Sequence, residues 1–354
     1  MNGWIDWNRD GDWNDAGEQV FTNTPVVVGN NNFTIAVPVG ASLGTTFARF
    51  RLTSAQVVNP VPTGLLPDGE VEDHRTAVVP GAVKGDFDGD KKTDISVYRP
   101  STGIWYISRS AGGFTGLQFG TPEDKIVPAD YDGDGKTDVA VFRPSNGIWY
   151  IANSSNGTYR GLQWGVSSDI PAVGDFDGDG QADVAIFRPS TGVWWINGST
   201  VGLMVVQYGQ AGDVPAVGDY DGDGKDDIAV FRPSTGVWYI HRSSLGDAVV
   251  QFGSAGDKVA QADYDGDRKT DIAVFRPSNG VWYIFNSSNA TYTVTQFGIN
   301  GDLPVPGDYN GDGKADIAIF RPSDGRFWLD LPTGFTVIQW GQNGDVPIPN
   351  AFGN

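Results

Sequence analysis

An all-β chain, most of it a β-propeller of four-stranded blades, is predicted by three features of this sequence. A nine-residue acidic pattern, Asp-x-Asp/Asn-x-Asp-x-x-x-Asp, begins at Asp86, Asp130, Asp175, Asp219, Asp263 and Asp308, at intervals of 44 or 45 residues. Each copy carries four short β-prone segments separated by turns. No copy shows the apolar period of a helix. A fixed period of this length marks stacked or circular repeats, and four strands per repeat is the composition of a propeller blade.

Residues 1–79 stand outside the repeat. The opening MNGWIDWN alternates like a strand, as do Phe33 to Val39 and Phe47 to Leu52, with Gly, Asn and Pro turns between them. This is the pattern of half-buried antiparallel strands, and the expectation is a small β-sandwich. Phe47, Arg49 and Arg51 share one side of their segment, while Ala48, Phe50 and Leu52 share the other. Glu70 and Glu72 share a strand face and are expected to meet Arg49 and Arg51 as an ion-pair ladder. Asn59 to Pro67 reads as a loop, and Val78 to Val83, broken by Pro80 and Gly81, as the link to a propeller over 80–354.

In the fourth copy the strands are Val214 to Val217, Ile228 to Arg232, Val237 to Ile240 and Ala248 to Phe252, with the acidic loop after the first. The turn Arg-Pro-Ser-Thr/Asn/Asp-Gly joins the second strand to the third in every copy. Proline presets its φ there, and glycine accepts positive φ. Six copies supply 24 strands, and a lone first strand recurs at Val346 to Pro349. A ring closes when both chain ends share a blade, so this surplus strand is the expected clasp and six blades the expected number. Seven blades are the alternative, with the missing strands drawn from the N-terminal domain or another subunit.

Composition narrows the function. Hydrophobic residues make up 39% of the 354, and the 49 Gly and 21 Pro fall at regular turns, so the chain is globular. The formal charge of −19 excludes a phosphate backbone as partner. The four recurrent loop positions hold 23 of the 43 acidic residues, and six divalent cations would bring the charge to −7. Without cations, like-charge repulsion opposes gathering four carboxylates six times over. With no Cys there is neither a disulfide framework nor a thiolate metal site. No apolar run approaches the ~20 residues of a membrane span. Nothing resembling a signal peptide precedes Gly3, and the chain is expected to begin inside a longer parent.

Calcium takes six to eight oxygens, and a loop with carboxylates at positions one, three, five and nine and a main-chain carbonyl at seven supplies them. The expected ligands are Asp86, Asp88, Asp90, Lys92 and Asp94 in loop one, and Asp130, Asp132, Asp134, Lys136 and Asp138 in loop two. Loop three offers Asp175, Asp177, Asp179, Gln181 and Asp183, and loop four Asp219, Asp221, Asp223, Lys225 and Asp227. Loop five has Asp263, Asp265, Asp267, Lys269 and Asp271, and loop six Asp308, Asn310, Asp312, Lys314 and Asp316. The Lys and Gln residues would act through their carbonyls. Position four is always Gly, as a tightly curled backbone requires. Position six is Gly in four loops but Lys91 and Arg268 in the others, where left-handed backbone costs on the order of 1 kcal/mol and weaker binding is expected. Magnesium, which prefers a rigid octahedron and keeps its waters, fits less well. A seventh candidate is Asp6, Asn8, Asp10 and Asp12, with Asp15 or Glu18 closing the shell, its alternative being a plain acidic turn.

Other residues recur with the blades. Arg99, Arg143, Arg188, Arg232, Arg276 and Arg321 are expected to pair with an acidic loop or turn carbonyl inside the blade. Trp105, Trp149, Trp194, Trp238, Trp282 and Trp328 are expected between blades. Tyr106, Tyr150, Trp195, Tyr239 and Tyr283 alternate to the other face, where rings can stack on sugars. Gln118, Gln163, Gln207, Gln251, Gln296 and Gln339 are expected to bond backbone across blades. Only His74 and His241 are available as neutral-pH bases, and no Ser or Cys elbow motif appears.

These motifs support two resemblances. GWIDWNRDGDWNDAGEQVF at Gly3 to Phe21, ARFRLT at Ala48 to Thr53 and DGEVEDH at Asp68 to His74 resemble the C-terminal part of the GEVED domain of large secreted bacterial proteins, with His74 where that family has Tyr. Residues 81–349 resemble FG-GAP or VCBS-type repeats of bacterial surface proteins, akin to the calcium-loop blades of integrin α-subunits, although Gln-Phe-Gly or a Tyr or Trp variant replaces the family's Gly-Ala-Pro. The resemblance implies a non-catalytic, calcium-binding module at the cell surface or outside the cell, holding six or seven Ca2+ and meeting a protein, a surface glycan or a second copy. A lectin-like propeller and an accessory region of a larger secreted enzyme are the alternatives.

Overall fold

The computed structural model describes residues 1–31, 33, 35, 37, 38, 41, 44–66, 68–78 and 83–348. The chain divides into two compact units, residues 1–81 and 82–354. Among the described residues every regular element is a strand, and no helix is long and apolar enough to cross a membrane.

The first unit holds β1 (Asn2–Ile5), β2 (Gln19–Phe21), β3 (Gly44–Leu52) and β4 (Glu70–Val78) in one antiparallel sheet of order β2-β1-β3-β4. Ile5, Trp7, Ala41 and Ala48 form its apolar centre, with Val20, Ile35 and Phe50 against them. The expected strand from Phe33 to Val39 falls partly outside the described residues. The expected ladder is corrected by the register. Arg49 lies opposite Asp73, while Glu72 faces Phe50 and Glu70 faces Leu52. Residues directly opposite are the nearest across a strand pair, so Arg49 makes its two-point contact with Asp73, each bond at 2.6 Å. Arg51, only 3% exposed, gives its guanidinium to the carbonyls of Val61, Thr63 and Gly64.

The second unit is a closed six-bladed propeller. Its first blade contains β5 (Ile95–Arg99), β6 (Ile104–Ser108) and β7 (Phe114–Gln118), and its second β8 (Lys125–Ile126), β9 (Val139–Arg143), β10 (Ile148–Ala152) and β11 (Tyr159–Gln163). The other four blades repeat the second. The chain closes its own ring: the terminal strand Val346–Pro347 pairs antiparallel with β5, Val346 opposite Tyr98 and Pro347 opposite Val97. The described strands of the propeller number 24 and leave no surplus, because the first copy contributes three and the terminal strand supplies the fourth.

Packing follows from strand order. The second strand of blades two to six is a continuous apolar run, buried on both faces as in Val139–Phe142, and buried Ser96 interrupts it in blade one. The third strand alternates, with Trp149 and Ile151 inward and Tyr150 half-exposed. Trp149 shares a cluster with Val173, Val184 and Ile186 of the next blade, so the aromatic residues do join blades. Trp105, Trp149, Trp194, Trp238 and Trp282 are fully buried, and each indole N–H donates to a carbonyl at 2.7–2.9 Å. In blade six the series shifts by one residue from the sequence expectation. Phe327 takes the buried place opposite Phe320, and Trp328, opposite Ile319, belongs with the half-exposed rings.

Candidate metal centres

Each acidic loop is folded by its own carboxylates. The position-one aspartate accepts the position-four N–H at 2.6–2.7 Å and the position-six N–H at 2.8–2.9 Å. The position-nine aspartate accepts the position-two N–H at 2.8–2.9 Å. The N–H groups that the position-one aspartate accepts sit on the left-handed backbone expected from the glycines: φ is 75–86° at the six position-four glycines, and Lys91 and Arg268 take 71° and 66° at position six. In each of loops one to four, three of the predicted carboxylate ligands are brought together. Carboxylate oxygens of Asp86, Asp88 and Asp90 lie within 4.8 Å of one another, as do those of Asp130, Asp132 and Asp138, of Asp175, Asp177 and Asp183, and of Asp219, Asp221 and Asp227.

Two observations fit a cation to these clusters. Asp177 Oδ1 and Asp221 Oδ1 are buried and have no hydrogen-bond partner, a costly arrangement for a charged oxygen unless a positive group answers it. Burial also pushes the carboxyls of Asp94, Asp138, Asp183 and Asp227 up to about 6, with neighbouring aspartates adding to the effect. Asp175 is raised to about 6 by burial and by Asp179 and Asp226 beside it. A bound cation opposes both effects by favouring the ionised form. Calcium, as a hard cation with all-oxygen ligands, matches this donor set.

The loops are also joined to one another. The backbone N–H at position eight of each loop donates to the position-one carbonyl of the loop before it, at 2.6–2.7 Å: Thr137 to Asp86, Ala182 to Asp130, Asp226 to Asp175, Thr270 to Asp219, Ala315 to Asp263 and, closing the circuit, Thr93 to Asp308. The position-seven side chain has a task that sequence reasoning did not give it. The Lys136 stem lies over Gly89 of the preceding loop so closely that a β-carbon there would come within 2.9 Å, and Lys225, Lys269, Lys314 and Lys92 lie over Gly178, Gly222, Gly266 and Gly311 at 2.9–3.0 Å.

The N-terminal loop repeats part of this geometry. Asp6 accepts the N–H groups of Arg9 and Gly11 at the same offsets, and Glu18 accepts that of Trp7 as a position-nine aspartate would. Carboxylate oxygens of Asp10, Asp12 and Asp15 lie within 4.8 Å of one another, with Asn8 donating to Asp15. Asp6 and Glu18, 3% and 2% exposed, fold the loop from behind.

The GEVED domain model matches residues 1–76, and the FG-GAP-like repeat model matches 86–141, 130–186, 175–230 and 263–319, together more than half of the chain. The chain belongs to the FG-GAP-like repeat family. Comparison with curated proteins finds no match. Among solved structures, the chain is similar to a streptogramin B lyase at 6% identity and a TM-score of 0.49, over 74% of this chain and 87% of that one. It is similar to virginiamycin B lyase from Staphylococcus aureus at 8% identity and 0.48, over 74% and 88%. An Agrocybe aegerita lectin that recognises non-reducing terminal N-acetylglucosamine follows at 15% and 0.45, over 77% and 95%. At these values none of the three bears on activity.

In this FG-GAP-like propeller the recurrent arginines pair with aspartates outside the acidic loops, a correction to the expected partners. Arg143, Arg188, Arg232, Arg276 and Arg321 hold Asp124, Asp169, Asp213, Asp257 and Asp302 of their own blades, and Arg99 holds Asp345. Each pair is two-pointed at 2.7–2.9 Å, and these Asp side chains are 0–1% exposed. The sixfold Asp before each first strand was the available signal. Each guanidinium also covers one face of a ring, Tyr106, Tyr150, Trp195, Tyr239, Tyr283 or Trp328, at 4.3–5.6 Å, which removes much of the surface available to sugars. The glutamines bond within their blade, not across blades: Gln163, Gln207, Gln251, Gln296 and Gln339 donate to both carbonyls of the turn between second and third strands. His241 is engaged with Asp247 at 2.6 Å, and His74 lies against Phe50.

Proposed function

We propose that this protein is a calcium-stabilised, non-catalytic interaction module that works outside the cell or at its surface, with Ca2+ fastening the acidic loops and the propeller presenting a surface to a protein, a glycan or a second copy. The observation that carries it is the closed circuit of acidic loops, in which carboxylates are gathered within 4.8 Å of one another and the buried Oδ1 atoms of Asp177 and Asp221 lack a partner. Asp86 to Asp94 and the corresponding residues of loops two to five would hold the ion through carboxylates and the position-seven carbonyl, and the Asp10, Asp12 and Asp15 cluster is the further candidate. A bound ion would offset two of the four carboxylate charges in each of loops one to five and stiffen a loop that is hydrogen-bonded to both neighbours, so rigidity spreads around the ring.

Calcium is plentiful outside cells, and a chain fastened by calcium rather than by disulfides suits that location. The test is calorimetric titration of the chelated protein with Ca2+ and then Mg2+. The reading expects saturable calcium uptake by several sites per chain with a preference over magnesium. Equal affinity for both ions, or no uptake, defeats it.

A further inference from the structure

The six loops differ in one blade. In blades one to five the hairpin tip between third and fourth strands bends back over its own acidic loop. A serine there, Ser110, Ser154, Ser199, Ser243 or Ser287, donates its backbone N–H to Oδ1 of the position-nine aspartate at 2.6–2.8 Å. Its hydroxyl bonds the position-five aspartate at 2.6–2.9 Å. The strand register, Ile317 opposite Asp330 where Val184 faces Asn197, puts Pro332 in that place in blade six. Proline has no N–H and no hydroxyl, so Asp316 Oδ1 loses its backbone donor.

Asn310 replaces it. This residue occupies position three, an aspartate in the other five loops, and its amide nitrogen donates to Asp316 Oδ1 at 2.8 Å. Pro332 and Asn310 are therefore complementary: with an aspartate at position three, the buried Asp316 carboxylate, 6% exposed, would face another charge with no donor between them. Turning the Asn310 oxygen toward a cation would strip Asp316 of that same bond.

Resting on the calcium reading above, we infer that loop six is closed by its own amide and binds no calcium under conditions that fill loops one to five, so the propeller ring carries five cations. The exception falls at the seam. The Asp308 carbonyl of loop six accepts from Thr93 of loop one, next to the clasp between Val346–Pro347 and β5, so the ring can close there without an ion.

Native mass spectrometry of the full chain, at one free calcium concentration, tests this by differences that the N-terminal loop cannot disturb. Asp134→Asn, at position five of loop two, is expected to lower the ion count by one, and Asp312→Asn, the same position in loop six, to leave it unchanged. The double variant Asn310→Asp with Pro332→Ser is expected to raise it by one. A loss of one ion in Asp312→Asn overturns the inference while leaving the calcium reading intact. An Asp134→Asn protein that folds and loses no ion overturns the calcium reading, and the inference with it.

Discussion

Asp345→Asn breaks the pair that fastens the last strand to the first blade. The Asp345 side chain is 0% exposed and takes two bonds from Arg99 at 2.8 Å each, as well as the Gln342 N–H at 3.0 Å. Removing one partner of a buried ion pair costs about 3–5 kcal/mol, because the remaining charge is left without compensation. The Arg99 side chain keeps 21% exposure, so water takes up part of its charge and the lower end, about 3 kcal/mol, applies. At about 2–4 °C per kcal/mol for a unit of this size, the melting temperature should fall by about 6–12 °C. Only two residues pair beyond Asp345, with Ile348 buried behind them, so proteolysis near the C-terminus should accelerate as well. Fluorescence melting of wild type, Asp345→Asn and Asp324→Asn measures this. Asp324 meets Arg326 at 3.9 Å with both side chains partly exposed, and its loss should stay within about 0.5 kcal/mol. A shift of Asp345→Asn no larger than that of Asp324→Asn refutes the reasoning.

Other outcomes follow from the same structure. Burial raises Asp94, Asp138, Asp175, Asp183, Asp227 and Asp316 from 3.8 to about 6. In chelator their stabilisation is therefore full below the unfolded value and lost as pH rises through about 6; a chelated protein that melts higher at pH 7 than at pH 5 contradicts this. With calcium the ionised ligands are held, so the gap between calcium and chelator should widen over that interval. Trp238→Ala empties a fully buried site between blades and should cost about 3–5 kcal/mol by denaturant unfolding. Lys91→Gly and Arg268→Gly relieve left-handed backbone at φ 71° and 66° and should each stabilise by up to about 1 kcal/mol; destabilisation by either would show that its side chain contributes more than the strain removes.

The blade period, the loop positions and the terminal clasp were legible because each repeats at fixed spacing and rests on local backbone chemistry: Gly at positive φ, Pro in a turn, Asp folding its own loop. What escaped depends on register or on neighbours. Phe327 and Trp328 are adjacent aromatics, and only the pairing of Phe327 with Phe320 tells which is buried. Asp124 and its counterparts stand outside the acidic pattern, and only the fold brings Arg143 to Asp124 from 19 residues onward, or Asp345 to Arg99 from the far end of the propeller. The Asp73 partner of Arg49 needed the exact pairing of β3 with β4. The sequence offered position seven only its carbonyl, and the task of the lysine stem shows only when the preceding loop's glycine is seen beneath it.

The central claim, that divalent cations answer the crowded carboxylates and fix the ring, is tested most directly by melting the full chain at neutral pH in chelator and in excess calcium. Each independent site at a hundredfold excess over its Kd contributes about 2.7 kcal/mol, so several filled loops should raise the melting temperature by tens of degrees. Coincident melting curves in calcium and chelator would contradict the account.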